Sequence, residues 1–138
     1  MIDEASEFGA RVARHLREEK VVWLTTVTPS GAPLPRPVGF LWDEDRTVFV
    51  YSQPGARIRN ISSKPKVTLN FGGDGHGGDI VVFSGMAEVI DSAPSAAENA
   101  AWVAKYAAEW KRDGMTAESF AKRFSVPLRI RITDVHGC

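Results

Sequence analysis

The stretch YSQPGARIRN (residues 51–60) sets Ser52 and Gln53 before a Pro-Gly pair, then Arg57, Ile58, Arg59 and Asn60 at the start of a short helical pattern. A helix N-terminus already carries partial positive charge, so its first turn ordinarily favours acidic side chains. Guanidinium groups placed there, beside free backbone N–H groups and a hydroxyl, suit a phosphate. At about 100° per residue, Ile58 and Ile61 share a core-facing side and Arg57 and Asn60 flank it. Arg59 falls on nearly the opposite side. Arg57 with Ser52 therefore forms the candidate cradle, while Arg59 is directed to solvent, a partner chain or an extended anionic tail. The plainer alternative is that both arginines are solvated, one of them in an ion pair.

Three other stretches could carry chemistry. GGDGHGGD (residues 72–79) has the glycine content of a phosphate loop, but no Lys-Ser/Thr follows and it opens a strand rather than a helix. It reads as a hairpin connection. His76 within it has no second histidine or carboxylate at ligand spacing, so no metal site is expected. In LPRPVGFLW (residues 34–42), Pro35 and Pro37 donate no backbone hydrogen bond. Either a flat heteroaromatic ring docks edge-on against this strand, or the prolines simply protect an edge from aggregation. Trp102, Tyr106 and Trp110 recur four residues apart, an aromatic stripe that belongs to a core or a dimer interface. No Ser-His-Asp set, Cys-His set or carboxylate pair stands out, so no catalytic residue is assigned. An enzyme built this way would draw its chemistry from a cofactor.

The whole chain narrows the setting. Its 138 residues are expected to form one domain, 1–138. With 17 basic and 17 acidic residues it has no global field to attract nucleic acid or an anionic membrane. The only cysteine, Cys138, offers no disulfide framework. No apolar run approaches the roughly 20 residues of a membrane span, and the first twenty residues lack the pattern of a signal peptide, so a cytoplasmic location is expected.

Hydrophobic periodicity predicts helices over 3–19, with Asp3 as cap, and over 55–63, 93–114 and 116–124. It predicts strands over 21–28, 34–42, 47–52, 66–71, 79–90 and 127–135. The first three strands read as a meander, and most connections are too short for parallel crossovers. The expected architecture is mainly β with α: a six-stranded antiparallel barrel with peripheral helices.

Taken together, the span from VVWLTTVTPSGAP through SQPGARIRNISSKPKVTLNF, continuing in GGDIVVFSGMAEV and SVPLRIRIT, resembles the pyridoxamine 5′-phosphate oxidase-like split-barrel family. GDGHGGDIVV and GMTAESFAKRFSVPLRIR make it similar to that family's flavin/deazaflavin oxidoreductase branch, the probable F420-dependent enzymes. The resemblance implies a split barrel and a homodimer binding coenzyme F420, or alternatively FMN, at the subunit interface. It also implies that Arg57 contacts the cofactor phosphate, that Pro37, Val38, Gly39 and Phe40 lie against the ring, and that Ser52 and Gln53 sit beside the ribityl chain. Ile58, Arg59 and Asn60 complete the implied set.

The chain departs from the vitamin-B6 oxidases of that family in three places. Ile58 stands where a lysine follows their arginine, Ile80-Val81 replaces a polar phosphate contact, and DVHGC lacks their basic aromatic tail. These differences point away from oxidation of pyridoxamine phosphate and toward the deazaflavin. The implied activity is hydride transfer from reduced F420 to a small organic acceptor. The rivals are an FMN enzyme of the same fold, a non-catalytic cofactor- or haem-binding module, and an oligonucleotide-binding barrel, which neutral charge disfavours.

Overall fold

The computed structural model describes residues 2–43 and 46–138. Four helices, α1 (Glu7–Glu18), α2 (Ala56–Ser63), α3 (Ala100–Arg112) and α4 (Ala117–Arg123), accompany seven strands. These are β1 (Val22–Val27), β2 (Pro33–Val38), β3 (Leu41–Trp42), β4 (Thr47–Ser52), β5 (Lys66–Asn70), β6 (Val81–Val89) and β7 (Val126–Gly137). All pairings are antiparallel, in the order β2-β1-β5-β6-β7-β4-β3.

The sheet has seven strands rather than six because the segment 34–42 breaks at Gly39-Phe40. Its first half, β2, pairs with β1 on one edge, and its second half, β3, pairs with β4 on the other. The expected three-strand meander is thereby divided between opposite ends of the sheet. Three Cα–Cα steps from Val38 to Leu41 span at most about 11 Å. The two edges must therefore approach each other, and the sheet curls into a barrel that stays split along this seam.

Proline chemistry explains how β2 can sit at the seam. Pro33, Pro35 and Pro37 face Val27, Thr25 and Trp23 of β1, and none of them has an N–H to give. The ladder must run through Leu34, Arg36 and Val38, leaving the proline carbonyls on the open edge. The Pro35 carbonyl accepts from Arg36 NH1 at 2.8 Å, in keeping with that orientation. An edge with no outward N–H cannot template another strand.

Alternation fills the barrel. Val22 and Leu24 of β1, Val81 and Phe83 of β6, and Leu128, Ile130 and Ile132 of β7 point inward and are buried, while Arg129, Arg131 and Thr133 point out as their spacing predicts. Val12 and Leu16 of α1 and Ile61 of α2 join this core. Trp102, Tyr106 and Trp110 form a second core with Tyr51 and Ala96, packed against Phe120 and Phe124. No described helix is long and apolar enough to cross a membrane.

Helix starts follow local capping chemistry. α1 is capped by Ser6, whose hydroxyl accepts from Gly9 N–H at 2.9 Å, not by Asp3. α3 begins only at Ala100, because Asn99 caps it by accepting from Trp102 N–H. At α4, Thr116 and Ser119 make a reciprocal capping box, serine serving where glutamate is usual.

Candidate functional site

β4 ends at Ser52, and the chain turns through Gln53 and Pro54 into α2. Gly55, at φ 140°, occupies the N-cap position and supplies no side-chain acceptor. No acidic residue lies in the first turn. The orphan N–H groups and partial positive charge of this helix start are thus left without a side-chain counterpart.

Arg57 reinforces that charge. Its NH1 donates to Ser52 Oγ at 2.7 Å, and the hydroxyl of fully buried Ser52 donates in turn to the Gln53 carbonyl at 2.8 Å. Burial lowers the pKa of Arg57 from its ordinary value, and the Arg36 guanidinium lowers it further. Arg36 pairs with buried Leu24, so it leaves β2 on the core side of the sheet and reaches outward from the edge strand. Among the described residues neither arginine has a carboxylate within ion-pair distance. Two like charges, one partly desolvated, therefore stand at an uncapped helix start. An anion is the group that would neutralise them.

The other implied residues divide. Ile58 is partly buried against the core and Ile61 wholly so, while Arg59 is exposed, as the helical geometry predicts; Gln53, in the turn before the helix, is also exposed. Asn60 is buried, and its Nδ2 donates to Thr26 Oγ1 at 3.1 Å, fastening α2 to β1. Pro37 is exposed opposite Trp23, Val38 is buried, and Phe40 is fully buried.

At the seam, α3 takes the place of a neighbouring strand. Phe40 N–H donates to Tyr106 Oη at 2.7 Å, and the Phe40 carbonyl accepts from Lys105 Nζ at 2.7 Å. The Tyr106 hydroxyl has one proton, directed to the Lys20 carbonyl at 2.8 Å with the Phe40 carbonyl at 3.0 Å. Burial raises the phenol pKa well above its usual value. A Cβ at Gly39 would come within 3.0 Å of Tyr106 Oη and 3.6 Å of the Trp102 ring. A side chain there would crowd the Tyr106 ring, so the close approach favours glycine.

The glycine loop stands apart from this arrangement. Asp74 Oδ1 accepts from His76 and Gly78 N–H, bracing an exposed turn, and His76 itself is exposed. Among the described residues no group of histidine, cysteine, aspartate and glutamate could hold a metal. The loop's last residue is better employed. Asp79, at φ 53°, takes His15 Nε2 at 2.9 Å and Arg11 NH1 at 2.8 Å. His15 also meets Glu19 through Nδ1 at 3.0 Å and stacks on Phe71, tying α1 to the loop.

Sequence reasoning missed Arg36, Lys105 and the use made of the Tyr106 hydroxyl. Arg36 was passed over between two prolines, and only the β1–β2 register brings it to the Arg57 side. Lys105 and Tyr106 reach the seam across sequence separations of 65 and 66 residues. The placement of Lys105 directly before Tyr106 of the aromatic stripe was the available signal.

A curled antiparallel sheet with outer helices, open along a proline-edged seam, defines a split barrel. The chain belongs to the pyridoxamine 5′-phosphate oxidase family, whose pattern matches residues 8–137. No protein of curated function matches it in sequence. Among solved structures, an F420 reductase is 20% identical, with 89% of this chain and 94% of that one covered and a TM-score of 0.63. HutZ, a haem storage protein from Vibrio cholerae, is 16% identical over 96% of this chain and 95% of its own, with a TM-score of 0.64. An FAD-binding protein from Mesorhizobium loti is 20% identical over 91% and 88%, with a TM-score of 0.59. At these identities the likeness is one of fold.

Proposed function

We propose that the chain is an oxidoreductase that binds coenzyme F420 between two copies of itself and reduces a small organic acceptor. The observation that carries this reading is the Arg57–Ser52 pair with Arg36 beside it, at a helix start that no side chain caps. A cofactor phosphate or phosphodiester fits those donors. When bound, the deazaflavin supplies hydride transfer, a step that needs aligned carbons and a dry pocket more than an acid–base residue.

The chain's own residues bind and orient. Arg57, Arg36 and the first-turn N–H groups of α2 hold the phosphate, and Arg59, exposed one residue on, meets the longer F420 tail. At the end of β2 the outward carbonyl of Pro37 offers an acceptor to the ring, while buried Val38 and Phe40 hold the strand in place. Val21 and Trp23, 48% and 42% exposed on the outer side of β1, together with Pro35 and Pro37, give a partner copy an apolar surface.

FMN is the second reading, and Arg36 favours it. The phosphate site is more basic than the sequence alone implied, and a phosphomonoester carries more charge than a phosphodiester. A haem module is less well supported. Of the three histidines, His15 has a carboxylate on each ring nitrogen, while His76 and His136 are exposed. Absorbance and fluorescence titrations of the protein with F420 and FMN test the reading. F420 is expected to bind with a Kd of about 1 μM or tighter and FMN more weakly. Tighter binding of FMN would replace the deazaflavin with the flavin, and binding of neither would end the proposal.

A further inference from the structure

Phe40 occupies the point where the β1–β2 ladder has ended and the β3–β4 ladder has not begun. Its buried N–H and carbonyl must still be paired, and both are served by consecutive residues of one helix. Tyr106 Oη receives the N–H, and Lys105 Nζ donates to the carbonyl at 2.7 Å while lying 3.6 Å from the centre of the Phe40 ring. Among the described residues Lys105 has no carboxylate within ion-pair distance; Glu19 acts on it only from farther away, and Glu109 is paired with Lys20 at 3.4 Å. Lys20 in turn donates to the Lys105 carbonyl at 2.6 Å. The ammonium is thus held by the Phe40 carbonyl and by the Phe40 and Tyr106 ring faces, at 3.6 and 5.5 Å from their centres.

We propose that Lys105 is a positioning residue: with the Tyr106 hydroxyl, its ammonium anchors buried Phe40 and so sets the Pro37–Gly39 strand end against which a flavin or deazaflavin ring docks, and ring binding follows the charge on Lys105. The inference rests on the functional reading above. The segment it controls is also the barrel seam, where the Tyr106 and Trp102 side chains lie within 3.0 and 3.6 Å of where a Cβ on Gly39 would stand.

The groups facing Lys105 are Lys20 and Glu19 from the end of α1 and its following loop, Tyr106 from α3, and Phe40 from the seam. Burial pulls the lysine down to about 8, Lys20 pushes the same way, and Glu19 opposes both. The carbonyl and the ring face favour the charged form. Raising the pH through this range exchanges a charge-assisted donor for a neutral amine, which holds the Phe40 carbonyl less firmly.

The test is titration of the full chain with F420 and with FMN near pH 7 and near pH 9.5, for the wild type, Lys105→Arg and Lys105→Met. Wild-type affinity should fall roughly three- to tenfold at the higher pH. Lys105→Arg, which stays charged, should show no such fall. Lys105→Met should bind weakly at both. A wild type without the fall, an equal fall in Lys105→Arg, or wild-type affinity in Lys105→Met at neutral pH overturns the proposal. Should neither ligand bind the wild type, the functional reading fails by itself, and amide NMR decides the clamp. Phe40 and Leu41 resonances that move with a midpoint near 8 in the wild type and stay fixed in Lys105→Arg support it, and stationary resonances overturn it.

Discussion

The Arg57 guanidinium donates to the Ser52 hydroxyl at 2.7 Å, and the charged group that perturbs it is another arginine, Arg36. A stable fold ordinarily separates such groups or sets a carboxylate between them. Here the repulsion is kept at a helix start, where backbone N–H groups add to the same field. This is the arrangement expected of a site whose counter-charge arrives with a ligand.

A first prediction concerns anions in general. Inorganic phosphate should raise the Tm of the wild type more than chloride does at equal ionic strength. A phosphate concentration about five times Kd is worth about 1 kcal/mol. The Arg36→Ala/Arg57→Ala double variant should retain only the general stabilisation that phosphate gives any protein. Equal gains in both proteins, measured by thermal denaturation, would remove the anion site.

Arg59 separates the two cofactors. It is exposed, and helical spacing sets it on a different side of α2 from Arg57, so Arg59→Ala should leave FMN affinity within about twofold. F420 affinity should drop several-fold through loss of the contact with its anionic tail. Parallel titrations of this one variant check it, and equal effects on both ligands would place Arg59 at the shared phosphate.

Gly39→Ala tests the close approach of α3 to the seam. The new Cβ would lie 3.0 Å from Tyr106 Oη and 3.2 Å from Cζ of the same ring. The ring is locked by its bonds to Phe40 and Lys20 and cannot swing aside without breaking them. A loss of roughly 1–3 kcal/mol is expected in urea denaturation. The effect should shrink in a Tyr106→Phe background, which removes the hydroxyl that is struck first.

Acid should loosen α1 from the glycine loop. The hydrogen bond from His15, then that from Arg11, holds the Asp79 carboxyl below its ordinary value of 3.8. A carboxylate depressed in the folded state contributes stability that is complete above the unfolded value and is lost as pH falls through the folded one. Asp79→Asn, which tolerates the same positive φ, should therefore flatten the acid limb of the stability profile. An unchanged limb would mean that other carboxylates govern it.

The sequence displayed the inner and outer faces of the strands because their alternation is local. Leu128, Ile130 and Ile132 could be assigned inward from spacing alone. The same logic separated Arg57 from Arg59, since helical periodicity is local too. It failed at 34–42, where extended residues continue on both sides of Gly39 and no local feature shows that the halves belong to opposite edges. Only closure of the barrel, a property of the whole chain, decides that. Arg36 was hidden because its neighbours depend on the β1–β2 register. His15 was hidden because it sits among the apolar positions of α1 while its partner Asp79 lies 64 residues away. Tyr106 was visible as part of a buried stripe, but the use of its hydroxyl at Phe40 was not.

The most direct measurement is equilibrium binding of F420 and FMN to the wild type and to Arg57→Ala. The charge-assisted contact is worth roughly 1.5–3 kcal/mol. F420 should bind the wild type with a Kd of about 1 μM or tighter, weakened by about tenfold to a hundredfold in the variant. An unchanged dissociation constant in Arg57→Ala, or no binding of either cofactor to the wild type, would contradict it.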